Sequence, residues 1–330
     1  MDLLSFFCGP GGLDEGFRKS GFHTLVATDI NEDALATFAL NHPKANVFQS
    51  DLLTLSTRSI VERCLAHRKH DGPLGVIGGP PCQSFSVSNV RQAEDDPRNN
   101  LPLKYADLLR TLNHEVGVSF FVFENVPGLL SSKHAARYSQ FKKKFAAAGF
   151  TIHENVLDAK DFSVPQKRSR VIIVGINSKL HGGAKWIEPP HSSRRYTVRD
   201  AIWGLPEPVH FRRGLTVEDI PFHPNHWCMA PKSKKFANAD LTPGQAWGRS
   251  FRTLEWDEPS WSVAYGHREV HVHPDAKRRL SIFEAMLLQS FPKRYELTGT
   301  LSAQIKQVSD AVPPQLAEAV AKSVARALSL

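Results

Sequence analysis

The sequence predicts an α/β fold with a mostly parallel, Rossmann-like sheet and a small, irregular second domain. Three observations lead to this fold class. Short apolar segments alternate with helix-like segments over the first 176 residues, which is typical of a parallel sheet covered by helices on both faces. A glycine-rich turn, from Gly9 to Gly12, follows the first apolar segment. Between residues 187 and 274, prolines, histidines and short apolar pieces replace this alternation, which indicates a second domain with little regular structure.

The elements can be assigned in chain order from apolar periodicity. Strands are predicted at residues 3–7, 24–28, 46–48, 74–77, 119–123 and 171–176. Helices are predicted at residues 13–19, 32–40, 59–67, 103–112, 135–148, 278–290 and 315–327. Asn31 is expected to cap the helix that begins at residue 32. The last helix is expected to pack on the first domain, because its apolar face needs a partner.

Length and composition exclude several classes of protein. A chain of 330 residues with 41% hydrophobic and 22% charged residues is typical of a soluble globular protein. No apolar run approaches a membrane span and the first residues lack the layout of a signal peptide, so a cytoplasmic protein without a membrane partner is expected. The four cysteines form no Cys-x-x-Cys pair, which disfavours a disulfide framework and favours a single reactive thiol.

The charge balance points to a polyanionic partner. The net charge is +8, which favours nucleic acid, although many basic enzymes bind none. Basic residues crowd the second half of the chain and alternate there with tryptophans such as Trp247 and Trp256. This mixture suits contacts with phosphates and with bases.

Cys82 lies in the most informative segment of the chain, Gly-Gly-Pro-Pro-Cys-Gln-Ser-Phe-Ser. An apolar strand stops at Gly78, and Pro80 and Pro81 stiffen the backbone just before the thiol. The carboxyl end of a buried strand is where open α/β sheets bind their ligands. The alternative is a cysteine in an ordinary turn.

The glycine turn and a following acid indicate a cofactor pocket. Asp29 lies 20 residues after Gly9, a spacing that suits an acid on a ribose hydroxyl. A dehydrogenase would need a third glycine, but Asp14 occupies that position. Asp14 and Glu15 place negative charge where a pyrophosphate would bind, which favours S-adenosylmethionine with its cationic amino-acid tail. Asp51 could accept a hydrogen bond from the adenine amine, and helix capping is the alternative for both aspartates.

Glu124 and two arginines complete the candidate chemistry. Glu124 ends a nearly pure hydrophobic strand, so its carboxyl is expected to be partly desolvated and to hold a proton near neutral pH. Arg168 and Arg170 flank Ser169 before another buried strand, and alternation would place both on one face. The alternative for Glu124 is a buried salt bridge to one of these arginines. A thiol, an acid and a guanidinium beside a methyl donor would support nucleophilic activation and methylation of a ring.

Six segments, in this order, make the chain resemble the bacterial DNA (cytosine-5)-methyltransferases of the short restriction–modification type. The segments are Phe6-Phe7-Cys8-Gly9-Pro10-Gly11-Gly12 with Gly16-Phe17, residues 78–86, Glu124-Asn125-Val126, Gln166-Lys167-Arg168-Ser169-Arg170, residues 278–292 and residues 309–314. The resemblance implies the fold of S-adenosylmethionine-dependent methyltransferases. It also implies a catalytic domain of residues 1–186 and 275–330 and a DNA target-recognition domain of residues 187–274.

The resemblance also implies residue roles. Cys82 would attack carbon 6 of the target cytosine, Glu124 would contact the ring nitrogen and exocyclic amine, and Arg170 would hold the ring carbonyl. Arg168 would hold a nearby phosphate or the catalytic loop. The cofactor S-adenosyl-L-methionine would contact residues of the first strand ends and loops, namely Phe7, Gly9, Gly11, Gly12, Asp29, Ile30, Asp51, Leu52, Pro80, Leu101 and Asp310. Phe7 and Ile30 would sandwich its adenine.

The implied partner is double-stranded DNA, with the target base turned out of the stack and the second domain in the major groove. A monomer with a companion restriction endonuclease is expected, while the recognition sequence is not readable.

The chain departs from the family pattern at Ser5, where aspartate is usual, and at Ser309-Asp310, where Gly-Asn is usual. Alternatives are a catalytically impaired DNA-binding homologue, a tRNA cytosine methyltransferase and, more remotely, an oxidoreductase. His223, His226 and Cys228 lack a fourth ligand of clear spacing, so no metal is predicted.

Overall fold

The computed structural model describes residues 1–81, 96–248, 250–262 and 271–330. Cys82 and the rest of the segment up to residue 95 therefore lie outside the described residues. The chain forms two compact units. Unit 1 comprises Met1–Leu157, Ser169–Pro190 and Ala317–Leu330, and unit 2 comprises Asp158–Arg168 and His191–Leu316. The functional division at residues 187 and 274 stays a prediction.

Unit 1 is built on one sheet, which has seven strands in the described part of the chain, in the order β3-β2-β1-β4-β5-β7-β6. Neighbouring strands from β3 to β5 are parallel, and β7 runs antiparallel to β5. The carboxyl ends of β1 to β5 therefore share one edge, which is the ligand edge of an open α/β sheet. The strands are β1 (Asp2–Phe6), β2 (His23–Asp29), β3 (Asn46–Gln49), β4 (Leu74–Gly78), β5 (Phe120–Asn125), β6 (Phe150–Asp158) and β7 (Ser169–Asn177).

Helices follow these strands as the sequence predicts. They are α1 (Gly12–Lys19), α2 (Glu32–Asn41), α3 (Thr57–Leu65), α4 (Leu101–Val116) and α5 (Ala135–Ala147). The predicted cap of α2 is present, because Asn31 Oδ1 accepts a hydrogen bond from Ala34 N at 3.0 Å. Gly117, with a φ of 71°, ends α4 in a backbone conformation that glycine adopts at little cost.

The core of unit 1 centres on Tyr105 of α4, which is completely buried against the sheet. Its ring meets those of Phe6, Phe123 and Phe145 edge-on, with centroids 5.7 to 6.3 Å away. Its hydroxyl donates to the carbonyl of Val122 at 3.0 Å, so the polar end of this large side chain is satisfied. Each fully buried aromatic side chain contributes roughly 1.5–3 kcal/mol. This core holds the strand ends that carry the candidate site.

Unit 2 is built from short elements. Its strands are β8 (Val209–His210), β9 (Trp227–Cys228), β10 (Ala246–Trp247), β11 (Phe251–Thr253) and β12 (His271–Val272), and its helices are α6 (Val198–Ile202), α7 (Lys234–Ala237), α8 (Ile282–Leu288) and α9 (Leu301–Asp310). All seven residues of α8 are buried, and they form the centre of a hydrophobic core. The helix predicted from residue 278 begins later, because Ser281 and Glu284 form a capping box that fixes the start at Ile282.

The last helix, α10 (Pro314–Ala327), joins unit 1 from residue 317 onward, which confirms the predicted packing of the tail on the first domain. Ser20 Oγ donates to the carbonyl of Glu318 at 3.4 Å, and Lys19 Nζ lies 3.8 Å from the Glu318 carboxylate. Among the described residues, none of the helices combines the length and the apolar character needed to cross a membrane.

Candidate active site

Glu124 and Arg170 form an ion pair at the end of β5. Arg170 Nε lies 2.7 Å from Glu124 Oε1, and their side chains are only 13% and 11% exposed. Such a short contact between ionised groups is a charge-assisted hydrogen bond, stronger than a neutral one. The salt bridge considered as the alternative role for Glu124 is thus present. It orients the carboxylate at the ligand edge of the sheet.

Gly79 lies next to the Glu124 carboxylate. A Cβ atom at position 79 would lie 2.7 Å from Glu124 Oε2, which is closer than real Cβ contacts. The absence of a side chain at Gly79 therefore leaves room for the acid. This contact could not be predicted from the sequence, because it depends on the pairing of β4 with β5.

Asn125, at the end of β5, is hydrogen-bonded to the segment that precedes Cys82. Its side-chain Nδ2 donates to the carbonyl of Pro80 at 3.2 Å, and Asn125 itself is buried. The residue after the acid therefore fixes the backbone two residues before the predicted nucleophile. The sequence singles out the Glu124-Asn125-Val126 segment but predicts no contact for the Asn125 side chain.

The described cysteines are all buried and poorly suited to attack a substrate. Cys8, Cys64 and Cys228 are free thiols in buried positions. Burial raises the pKa of Cys8 well above its usual range, and the carboxylates of Asp29 and Asp14 raise it further. Burial raises the pKa of Cys64 to about 12. Since the thiolate is the nucleophile, neither of these two thiols is activated near neutral pH.

Arg168 makes contacts different from those of Arg170. It belongs to unit 2 and is 2% exposed. Its Nη2 donates to the carbonyls of Ser309 at 2.5 Å and Ala311 at 3.1 Å, and its Nη1 donates to Ser262 Oγ at 3.3 Å. Alternation predicts both arginines on one face but does not predict their different partners, because Arg168 lies just before β7 and Arg170 lies within it.

The turn after β1 is hydrogen-bonded to Asp29 at the end of β2. Gly9 N donates to Asp29 Oδ2, and Asn31 N donates to Asp29 Oδ1, both at 2.9 Å. Asp29 thus links the ends of β1 and β2. Phe7 has a φ of 57°, which is uncommon for a bulky residue and costly unless the surroundings enforce it. Such strain at a strand end is typical of functional sites.

The other predicted cofactor residues differ in exposure. Ile30 is 61% exposed, while Leu52 and Leu101 are buried in the core of unit 1. Asp51 is half-buried, and its Oδ1 accepts a hydrogen bond from Leu53 N at 2.9 Å. Pro80 is buried, as are Gly11 and Gly12 at the start of α1. Ile30 and Asp51 are therefore accessible at the strand ends.

The two acids of the first turn of α1 point inward. Asp14 is fully buried and accepts hydrogen bonds from Ser5 Oγ at 2.9 Å and Thr24 Oγ1 at 2.8 Å. Burial raises its pKa from 3.8 to about 6, and these two hydroxyls oppose the rise. Glu15 pairs with Arg18 at 2.7 Å. The unusual Ser5 therefore has a partner within this chain.

Asp310 and the histidine cluster lie in unit 2. Asp310 is the exposed last residue of α9 and pairs with Lys306. The ring of His223 stacks on Phe283 with centroids 4.0 Å apart, and burial lowers its pKa to about 4. His226 contacts Ser281 Oγ and the carbonyl of Pro206. The described residues contain no group of three or more His, Cys, Asp or Glu side chains placed to bind a metal.

Comparison with known proteins identifies close relatives in sequence. A family model described as C-5 cytosine-specific DNA methylase matches residues 1–326. Type II methyltransferase M1.HphI of Haemophilus parahaemolyticus is 33% identical, covering 98% of this chain and 86% of that protein. Type II methyltransferase M.MthTI of Methanothermobacter thermautotrophicus is 33% identical, covering 99% of this chain and 98% of that protein.

Solved structures share the fold. A protein described as a prophage-encoded DNA modification methyltransferase of E. coli aligns with a TM-score of 0.80 at 24% identity over 100% of both chains. A DNMT2 structure from Spodoptera frugiperda aligns with a TM-score of 0.66 at 17% identity, covering 98% of this chain and 99% of that one. These likenesses confirm the predicted α/β methyltransferase fold. Together with the sheet order and the family match over nearly its whole length, they show that this chain belongs to the C-5 cytosine-specific DNA methylases and is a DNA (cytosine-5-)-methyltransferase.

Proposed function

We propose that the protein transfers a methyl group from S-adenosylmethionine to carbon 5 of a cytosine in a specific duplex DNA sequence. The target base leaves the stack, as base-modifying enzymes require. The observation that carries this proposal is the Glu124–Arg170 ion pair, 2.7 Å long, at the end of β5. Asn125, the next residue, holds Pro80 just before Cys82.

Cys82 is proposed as the nucleophile. Its thiolate adds to carbon 6 of the cytosine, and the electrons of the ring double bond become available at carbon 5. Three of the four cysteines of the chain, Cys8, Cys64 and Cys228, are buried. Raised pKa values make Cys8 and Cys64 poor nucleophiles near neutral pH. These observations support Cys82 by elimination.

Glu124 and Arg170 are proposed to hold the pyrimidine. The Glu124 carboxyl contacts the ring nitrogen and the exocyclic amine, which stabilises the charge that develops there on addition of the thiolate. A guanidinium has five N–H groups, and the contacts with Glu124 and with the Ser169 carbonyl use two of them. Arg170 therefore has donors to offer to the ring carbonyl.

The strand ends of unit 1 fit the proposed cofactor. Ile30 offers an exposed apolar surface, and Phe7 is a half-buried aromatic residue with a strained backbone, which suits an adenine. Asp29 is proposed to bind the ribose and Asp51 the adenine amine. Gly9, Gly11, Gly12, Leu52, Pro80 and Leu101 are proposed to shape the pocket, and Asp310 is proposed to contribute from α9. When bound, S-adenosylmethionine supplies an electrophilic methyl group.

Residues 187–274, which lie almost entirely in unit 2, are proposed to recognise the DNA. Lys235 Nζ lies 4.1 Å from the centroid of the Trp247 ring, which is 44% exposed. The ring of Phe236 packs on that of Phe251 with centroids 5.7 Å apart, and the guanidinium carbon of Arg279 lies 4.5 Å from the centroid of the Phe251 ring. These five residues are named the β10–β11 cluster below. A cation stacked on an exposed aromatic ring suits contacts with phosphates and bases together.

The proposed setting is a type II restriction–modification system, with a companion endonuclease and a monomeric methyltransferase.

Trapping of the covalent intermediate tests the proposed function. The protein is incubated with S-adenosylmethionine and duplex DNA that contains 5-fluorocytosine, whose carbon–fluorine bond blocks the final loss of a proton from carbon 5. A protein–DNA adduct that survives denaturation is expected. Cys82→Ser should abolish the adduct, while Cys64→Ala should form it. An adduct with Cys82→Ser would remove Cys82 from its role, and transfer to tRNA without transfer to duplex DNA would contradict the substrate.

A further inference from the structure

The carbonyl groups at the end of α9 are held by two side chains from elsewhere in unit 2. Arg168 donates to the carbonyls of Ser309 and Ala311 at 2.5 and 3.1 Å. Gln289 Nε2 donates to the carbonyls of Val308 and Ala311 at 2.7 and 2.6 Å. Both side chains are buried, at 2% and 0% exposure, and both reach the same carbonyl of Ala311. We call this arrangement the α9 clamp.

The clamp meets a physical need of the helix. The last carbonyls of a helix lack partners within it, and buried ones must be satisfied from outside. Val308 and Ser309 carry two of these carbonyls, and Ala311 is the residue just past the helix. A cation is also favoured at this negative end of the helix dipole. Arg168 thus supplies charge and two hydrogen bonds where the chain stops being helical.

The clamp also joins two segments of unit 2 that are far apart in sequence. Arg168 is the last residue of the segment Asp158–Arg168, and Ala311 precedes by five residues the end of unit 2 at Leu316. The backbone of Arg168 is itself fixed, because its N donates to Asp158 Oδ1 and its carbonyl accepts from Ala159 N, both at 3.0 Å. Since its backbone and its guanidinium both have partners, Arg168 fixes the position of the segment from Val308 to Ala311 within unit 2.

We propose that Arg168 is a positioning residue, which with Gln289 fixes the segment from Val308 to Ala311 and acts on cofactor binding through it, without contacting the target base or a phosphate. The inference rests on the proposed function, in which Asp310 contributes to the cofactor site. To reach a phosphate, the guanidinium of Arg168 would have to give up its hydrogen bonds to the carbonyls of Ser309 and Ala311. Arg170, which contacts Glu124, serves the base instead.

The first measurement is the dissociation constant of S-adenosylmethionine in the absence of DNA, by calorimetry. Arg168→Gln and Gln289→Leu should each raise it about tenfold or more, since each removes hydrogen-bond donors from the carbonyls at the end of α9. Arg168→Lys should lie between the wild-type protein and Arg168→Gln, because one ammonium does not reproduce a two-pronged guanidinium. Arg170→Lys should keep the wild-type dissociation constant and lose turnover. The double variant of Arg168 and Gln289 should be non-additive, because both contact one carbonyl.

The second measurement separates a local effect from loss of folding. Hydrogen exchange followed by mass spectrometry should show faster exchange in peptides from residues 305–316 of Arg168→Lys, with unchanged exchange in the peptides of β1 to β5. Cofactor affinity that is unchanged in all Arg168 variants, with lost turnover or DNA affinity, would overturn the inference and give Arg168 a direct contact. Failure of the wild-type protein to bind S-adenosylmethionine would overturn the proposed function and the inference together.

Discussion

The Glu124 carboxylate is the residue on which the chemistry depends most directly. Glu124→Gln keeps the size of the side chain but removes its charge and its ion pair with Arg170. Loss of a general acid or base commonly costs about a hundredfold to ten-thousandfold in rate, so single-turnover methylation should fall by that order while DNA affinity persists. Glu62→Gln, at an exposed surface ion pair, is the matched control and should methylate normally. A Glu124→Gln enzyme of wild-type rate would remove this acid from the mechanism.

Gly79 offers a test of the position of that carboxylate. Gly79→Ala places a methyl group 2.7 Å from Glu124 Oε2, and the end of a side chain can move aside. The free energy of unfolding should therefore change by less than about 1 kcal/mol, whereas misplacement of the acid should slow turnover by about a hundredfold. Gly72→Ala, which meets nothing within 4 Å, should leave both unchanged. Normal turnover with Gly79→Ala would show that the acid tolerates displacement.

At the scale of elements, the start of α1 carries a buried acid whose protonation affects stability. The pKa of Asp14 is raised to about 6 by burial. The folded protein therefore holds this proton more tightly than the unfolded chain, and stability falls as the pH rises from about 4 to about 6, by about 3 kcal/mol at most. Asp14→Asn, which has no proton to lose, should match the wild-type protein near pH 4 and exceed it in stability above pH 6.

Urea unfolding at a series of pH values measures this difference. Asp71→Asn, at an exposed position, is the control, and its stability should run parallel to that of the wild-type protein. A parallel curve for Asp14→Asn as well would mean that Asp14 does not carry the raised pKa.

The elements predicted from the sequence were those with a clear apolar period. The strands of unit 1 from β1 to β5 and helix α2 with its Asn31 cap followed from short apolar runs and turn residues. Strand β6 was missed, because its half-exposed edge carries His153, Glu154 and Asn155 and has no apolar run. Helix α9 was missed because few of its residues are apolar, and its end is stabilised by Arg168 and Gln289 from distant parts of the chain.

The site shows the same division between local and distant causes. The carboxyl-edge location of Glu124 could be predicted, because the strand that precedes it is purely apolar. Its ion pair with Arg170 and its fit against Gly79 depend on the register of β4, β5 and β7. No local sequence pattern reveals that register. Two arginines spaced for the same face have different partners for the same reason: Arg168 belongs to the loop before the strand and Arg170 to the strand itself.

At the scale of the whole molecule, the net charge of +8 should make DNA binding strongly dependent on salt, since bound phosphates release counterions. The β10–β11 cluster concentrates two of the cations, Lys235 and Arg279, on aromatic rings. Lys235→Ala should reduce the slope of log affinity against log salt by about 1 and weaken specific and non-specific DNA alike. Trp247→Ala removes an exposed ring that could contact a base, so it should weaken binding to the methylated sequence more than to random DNA.

Fluorescence anisotropy with both DNAs at several salt concentrations measures these two effects. Lys69→Ala removes an exposed lysine of unit 1 and serves as the charge-matched control. Its salt slope should equal that of the wild-type protein if unit 2 carries the phosphate contacts. Equal losses of slope for Lys235→Ala and Lys69→Ala would mean that the charge acts only as a general field around the protein, and that the β10–β11 cluster is a solvated surface without a role in recognition.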